Sequence, residues 1–151
     1  WVKPVQWQRV PQDVPAAFRW LKDNGQPGGV FVMPADTLQR QPSPLYLFYA
    51  LHHRRAMLNG FPAFMPADCE TALRLANTFP NPDALQVLND RGVTYVVVDR
   101  VELAQLAGGP DVEATLAECE RTTRVRRIES ASDDRFILFE LRAPKAVAPR
   151  P

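Results

Sequence analysis

The residues best suited to chemistry lie in one stretch, residues 45–66, which mixes aromatic rings with basic and amide side chains. Both histidines of the chain lie there, next to an arginine pair and shortly before an Asn-Gly turn signal. Guanidinium groups pair with phosphate, and aromatic rings can stack on the faces of sugars. The candidate ligand-binding residues of this stretch are Tyr46, Tyr49, His52, His53, Arg54, Arg55 and Asn59. Together they predict a site for an anionic or sugar ligand.

A structural interpretation of the same stretch stays open. Aromatic runs commonly pack in a core. The arginine pair could equally neutralise Asp36 or Asp99, or bind the carbonyl groups at the end of a helix. Nothing in the sequence alone separates this interpretation from ligand binding.

Two aspartates that follow predicted buried strands complete the candidate set. Asp36 comes three residues after the apolar run of residues 30–33, and Asp99 directly follows the β-branched run of residues 93–98. Ligands of open α/β folds lie beyond the carboxyl ends of parallel strands, so both acids are candidate ligand-binding residues. The alternative for Asp36 is a turn residue, because aspartate side chains favour turns.

The motifs of metal and cofactor chemistry are missing from the sequence. It has no phosphate-cradling glycine loop, no dinucleotide fingerprint, no His-Glu-x-x-His pair and no nucleophile elbow. His52 and His53 are adjacent, so on a helix they point about 100° apart and cannot both bind one metal ion. We therefore predict no cofactor and no metal site in this chain. Cys69 and Cys119 are compatible with either a disulfide or two free buried thiols.

The overall composition makes nucleic acid a poor candidate partner. The 151 residues carry a net charge of only +1, which gives no field to attract a polyanion. A hydrophobic fraction of 46% at this length suits one globular domain with a real core. The sequence contains no run of 18 apolar residues that could span a bilayer.

Turn residues and apolar periodicity locate the elements that must position the candidate residues. Asp13 predicts a helix start with Pro15 in the first turn, and Asn81 predicts another that ends at Gly92. Asp111 predicts the cap of a later helix. Residues 45–51 predict a short helix and residues 56–58 a short strand. Residues 124–130 and 135–141 predict an antiparallel hairpin.

These elements predict an α/β fold with a single domain. We expect a mixed β-sheet with two central strands, helices packed on its faces and a C-terminal β-hairpin. Residues 1–11 form a linker or arm in this scheme, and residues 12–142 form the soluble α/β domain. Residues 143–151 are rich in proline and alanine and are expected to be a disordered tail.

Three segments together resemble a known family. They are residues 46–65, the upstream pattern Val14-Pro15 with Phe18-Arg19-Trp20-Leu21, and the downstream run of residues 92–99. In this order they resemble the soluble C-terminal domain of bacterial multi-pass membrane proteins of the GT-C type, the glycosyltransferases that use polyprenyl-phosphate sugars. The resemblance covers nearly the whole chain. The loop that follows Asp36 in this chain is less acidic than the corresponding loops of the family, which weakens a ligand-binding role for that loop.

The resemblance implies a place outside the cytoplasm, at the face of a bacterial cell membrane. The catalytic carboxylate of the family lies in a loop of the membrane portion, so no catalytic residue carries over to this chain. The implied partners are the membrane portion of the parent chain and a lipid-linked sugar or glycan. The start at Trp1 without methionine fits a processed secreted protein or a domain of a longer protein, and the resemblance favours the second.

The leading hypothesis is therefore a non-catalytic extracytoplasmic domain of a membrane glycosyltransferase-like protein. It would assist the binding of a lipid-linked sugar, an acceptor or a partner. Two alternatives stay open. One is a free-standing secreted α/β enzyme whose site uses Asp36, His52 or His53, and Asp99. The other is an interaction module for envelope proteins.

Overall fold

The computed structural model describes residues 13–35, 44–60, 67–106 and 111–142. Its helices are α1 (Ala16–Asp23), α2 (Pro44–His53), α3 (Ala67–Ala76), α4 (Pro82–Asp90), α5 (Arg100–Gln105) and α6 (Val112–Arg121). Its strands are β1 (Gly29–Met33), β2 (Val93–Asp99), β3 (Val125–Arg127) and β4 (Phe136–Leu141), with a 3-10 turn at Glu129–Ala131. Each helix within these ranges is too short or too polar to cross a bilayer.

The four strands form one mixed sheet in the order β1-β2-β4-β3. β1 runs parallel to β2, while β4 is antiparallel to both β2 and β3. β1 and β2 are wholly or almost wholly buried, as their continuous apolar runs predict. The predicted fold class is confirmed, including the C-terminal pairing of β3 with β4. Two details differ: β3 ends at Arg127 and not at the predicted residue 130, and β1 lies at an edge of the sheet and not at its centre.

Helices cover both faces of this sheet and divide the core into two layers. On one face α3, α4, α5 and α6 pack through residues such as Leu73, Leu85 and Leu116 against Phe31 and Phe139. On the other face α1, α2 and the 3-10 turn pack against the opposite side chains of the same strands. The alternation of side chains along β2 and β4 supplies both layers.

Several local predictions are confirmed. The Asn81 side chain accepts a hydrogen bond from the backbone of Asp83, and the Asp111 side chain accepts one from Ala114. Gly92 has a φ of 71°, the left-handed conformation that lets the chain leave α4 and enter β2 directly. Cys69 and Cys119 are free thiols, so the open alternative of a disulfide is wrong.

Other local predictions need correction. Pro15, not Asp13, is the N-cap of α1, and no side chain caps it. α2 extends to His53, beyond the predicted end at residue 51. The predicted strand of residues 56–58 is a single parallel bridge between Met57 and Val30. Residues 1–11, assigned to an arm, and residues 143–151, assigned to a tail, lie outside the described residues.

Candidate functional site

Helix α2 positions the aromatic part of the predicted site. Tyr46 and Tyr49 lie one turn apart on its inner face and are buried against α1 and the sheet. The Tyr49 ring stacks on Phe18 with centroids 4.4 Å apart, and both rings contact Phe136 edge-on. Leu51 points outward from the same helix and is 77% exposed. The predicted aromatic rim is therefore largely a packed face of the core.

Tyr46 and Asp99 are brought into direct contact, and Arg135 joins them. The Tyr46 hydroxyl donates to Asp99 Oδ2 over 2.9 Å. Arg135 donates to the same carboxylate from Nη2 over 2.8 Å and from Nε over 3.2 Å. We call Tyr46, Asp99 and Arg135 the Asp99 cluster. It ties α2 to β2 and to the start of β4.

The Asp99 carboxylate is also the cap of helix α5. Its Oδ1 accepts from the backbone N–H groups of Val101 and Glu102 over 3.1 and 3.2 Å. The side chain has no solvent exposure at all. Both carboxylate oxygens are thus engaged within the protein, as a buried charge requires.

The electrostatics of the Asp99 cluster keep its two proton donors protonated. Burial, followed by the negative charge of Asp99, raises the pKa of the Tyr46 phenol. The hydrogen bond to Asp99 raises the pKa of Arg135. Tyr46 therefore remains a neutral donor and Arg135 a cation throughout the physiological range.

His53 occupies a second, apolar environment. Its ring is 4% exposed and lies parallel to Phe18, with centroids 6.0 Å apart. Nδ1 accepts from the backbone N–H of Arg55 over 3.1 Å, while Nε2 has no partner in the described part of the chain. Burial first, and then the charges of Arg55 and His52, lower the pKa of His53 to about 4. The ring is therefore neutral near pH 7.

Arg55 binds the carboxyl end of α1 and does not reach Asp99. Its guanidinium donates from Nε to the Leu21 carbonyl over 2.9 Å and also to the carbonyls of Gly25 and Gln26. It lies over the Tyr95 ring at 5.5 Å from the centroid. Arg55 therefore follows the structural interpretation, in which the arginine pair binds carbonyl groups at the end of a helix. The cation that balances Asp99 is Arg135, which the sequence did not single out.

His52 and Arg54 lie outward from this packing. His52 is half-buried and Arg54 is exposed. Arg54 has a φ of 56° and ends α2 with a hydrogen bond from its N–H to the Ala50 carbonyl. Within the ranges described, neither side chain makes a hydrogen bond or an ion pair.

The Asn59 side chain makes hydrogen bonds to the outer edge of β1. Its Oδ1 accepts from the Val32 N–H over 3.0 Å and its amide nitrogen donates to the Val32 carbonyl over 2.8 Å. Asn77 repeats this arrangement with the backbone of Ala35, at 2.7 and 3.0 Å. Both amides replace the neighbouring strand that β1 lacks on this side. Asn77 carried no sequence signal beyond that of an ordinary helix-end residue.

The candidate residues therefore separate into groups. Tyr46 meets Asp99, and Tyr49 and His53 flank Phe18, whereas Arg55 and Asn59 bind backbone groups elsewhere. Asp36 lies outside the described residues. Among the described residues no three His, Cys, Asp or Glu side chains are grouped as metal ligands. Ligand binding by the candidate set stays a prediction.

Comparison with known proteins gives a match in fold. No protein-family model and no curated protein sequence matches the chain. Among solved structures, the C-terminal globular domain of an oligosaccharyltransferase from Archaeoglobus fulgidus is similar, with a TM-score of 0.52 and 15% sequence identity. The match covers 83% of this chain and 94% of that domain. The two share a fold.

Proposed function

We propose that this chain is a non-catalytic domain of a membrane glycosyltransferase-like protein of the GT-C type and lies outside the cytoplasm of a bacterium. In this role it assists the binding of a lipid-linked sugar, an acceptor or a partner. The membrane portion of a parent chain carries the catalytic carboxylate.

The observation that carries this proposal is the shared fold. The match spans 94% of the oligosaccharyltransferase domain, so it concerns a whole domain and not a common supersecondary motif. That domain is the C-terminal globular part of an enzyme named for glycan transfer. The sequence resemblance to soluble GT-C domains points in the same direction and was independent of the fold.

The chemistry of the described residues also supports an accessory role. A catalytic acid needs a carboxyl group that can exchange a proton with substrate, but the Asp99 oxygens are buried and engaged by protein donors. A catalytic thiol needs thiolate, but burial raises the pKa of Cys119 to about 12. His53, the last residue of α2, is buried against Phe18 of α1.

The first test is the gene itself. We expect the reading frame upstream of Trp1 to encode several apolar spans of about 20 residues, with an acidic residue in the first outward loop. A signal peptide alone would overturn the proposal. It would then favour a free-standing secreted protein and return attention to the two histidines at the end of α2 and the two arginines that follow them.

The second test separates the domain from its parent. We expect the 151-residue chain alone to transfer no sugar from a lipid-linked donor, and the parent lacking this domain to lose activity. Adding the purified chain to the truncated parent should restore part of the activity and give a measurable complex by pull-down. Sugar transfer by the isolated chain would contradict the proposal.

A further inference from the structure

A groove of about 870 Å³ lies between the start of α4 and helix α6. We call it the α4–α6 groove. Its base includes Phe79 and Leu85, which belong to the core layer under α3 to α6. It therefore lies on the opposite face of the sheet from Tyr46 and Tyr49, and none of the candidate residues that the structure describes lines it.

The rim of the groove offers both hydrogen-bond donors and acceptors. Thr78 and Thr122 donate their hydroxyl protons to backbone carbonyls, which leaves the hydroxyl oxygens as acceptors. The Asn81 side chain uses its oxygen on Asp83, which leaves its amide nitrogen as a donor. Thr123 makes no hydrogen bond in the described part of the chain and can do either. An apolar base under such a rim suits a hydroxylated ring.

The charges of the groove leave one cation without a partner. Arg121 is paired with Glu118 over 2.6 Å, and Asp111 caps α6 through the Ala114 N–H. Arg124 also lines the groove, but among the described residues its guanidinium has neither a hydrogen bond nor an ion pair. Its Nε is shielded from solvent and has no partner, so the described residues do not balance the charge of this guanidinium.

We propose that the α4–α6 groove binds an acidic sugar, a hexose that carries a carboxylate or a phosphate. The oxyanion pairs with the Arg124 guanidinium, whose planar fork matches both groups. The ring hydroxyls bind Thr78, Asn81 and Thr123, and the ring face lies against Pro82 and Leu85. This inference rests on the proposed function, because it names the class of glycan that the domain would hold.

The test is an NMR titration of the 15N-labelled 151-residue chain with four probes. Glucuronate and glucose 6-phosphate represent the two oxyanions, glucose lacks a charge, and inorganic phosphate lacks a sugar. We expect at least one acidic sugar to shift the amides around the groove with a Kd of about 1 mM. Glucose and inorganic phosphate should each bind at least about tenfold more weakly, because glucose lacks the charged group and inorganic phosphate lacks the sugar ring.

Two variants show whether Arg124 is the anchor. Arg124→Gln should weaken the acidic sugar at least about tenfold. Arg121→Gln is the matched control in the same groove and should retain binding, because that guanidinium is already paired with Glu118. The spectra of both variants also report whether they remain folded.

Several results would overturn the inference. The first is that neither acidic sugar shifts the amides around the groove. The second is that glucose, or the Arg124 variant, binds as tightly as the acidic sugar binds the wild type. The third is that inorganic phosphate binds as tightly as the acidic sugar, which would mean an adventitious ion only. None of these results alters the spans encoded upstream of Trp1. Failure of the groove is therefore distinguishable from failure of the proposed function.

Discussion

At the scale of single residues, the Asp99 carboxylate places the greatest electrostatic demand on the described chain. It is fully buried, and burial of an unpaired charge is strongly unfavourable. Arg135 supplies the opposite charge and Tyr46 a further donor. The α5 backbone supplies two more donors. Through its one side chain, Asp99 thus links β2 to α2 and to the start of β4, and it also caps α5.

Arg135→Gln should remove most of this compensation. We expect the free energy of unfolding to fall by about 3 kcal/mol, the lower end for an orphaned buried charge, because water can reach the Arg135 position. That side chain is 39% exposed. Urea denaturation at pH 7 measures the loss. The matched control is Arg74→Gln, which breaks the exposed pair with Glu70 and should cost less than about 1 kcal/mol. Equal losses in the two variants would contradict this role.

His53 should make stability depend on pH. Its pKa is lowered to about 4 in the folded chain, against an ordinary value of 6.5, so the unfolded chain takes up the proton more readily. Stability from this residue is fully present above pH 6.5 and is lost as the pH falls toward 4. The loss amounts to up to about 3 kcal/mol.

Unfolding measured from pH 7 to pH 4 checks this dependence in three proteins. His53→Phe keeps a ring against Phe18 and should flatten the pH profile relative to the wild type. His52→Gln removes the chain's other histidine and should leave the profile steep. A profile that is unchanged in the His53 variant would rule out this assignment.

At the scale of elements, the outer edge of β1 is completed by a short backbone bridge and two amide side chains, and not by another strand. Val30 exchanges backbone hydrogen bonds with Ala56 and Leu58. Farther along the strand, Asn59 and Asn77 supply amide groups in place of a backbone. This covering satisfies buried backbone groups and blocks the edge from pairing with another chain.

Asn59→Ala should open this edge. It leaves the N–H and carbonyl of Val32 unpaired in a buried strand, so we expect a loss of about 2 to 4 kcal/mol in the free energy of unfolding. Amide exchange of Val32 should also accelerate relative to that of Val97 in the strand beside it. The control is Asn81→Ala, which removes one exposed helix cap and should cost about 1 kcal/mol without exposing β1. Unchanged protection of Val32 would refute the role of Asn59.

At the scale of the whole molecule, one sheet supports two separate layers. The α1 and α2 face contains the aromatic packing and leads to the Asp99 cluster. The face under α3 to α6 combines aliphatic side chains with Phe31, Phe79 and Phe139, and it carries the α4–α6 groove at its surface. Because both layers share β2 and β4, we expect the two layers to unfold together.

Cys119 provides a readout of this cooperativity. Its thiol is 2% exposed within α6, on the face opposite the Asp99 cluster. In a Cys69→Ser background we expect alkylation of Cys119 to be at least about a thousandfold slower than in urea, because reaction requires global unfolding. Arg135→Gln should accelerate it by the same factor by which it raises the unfolding equilibrium constant, although the two sites lie in different layers. An unchanged alkylation rate would show that the layers unfold independently.

The sequence by itself determined the features that depend on a few neighbouring residues. The cap at Asn81, the exit at Gly92 and the cap at Asp111 form as predicted because their hydrogen bonds or backbone angles are local. The fold class also followed, since continuous apolar runs mark buried strands and periodic runs mark helices that cover them. Ligand binding by the candidate residues of α2 stays a prediction.

Only the tertiary structure decided which groups pair with one another. Asp99 meets Arg135 because the antiparallel register sets Asp99 opposite Phe136, and nothing near either residue in the chain specifies that register. Arg55 reaches α1, and Asn59 reaches Val32, for the same kind of reason. Side-chain type fixes what a residue can bind. Its partner depends on the packing of distant elements, and that packing also shaped the groove around Arg124.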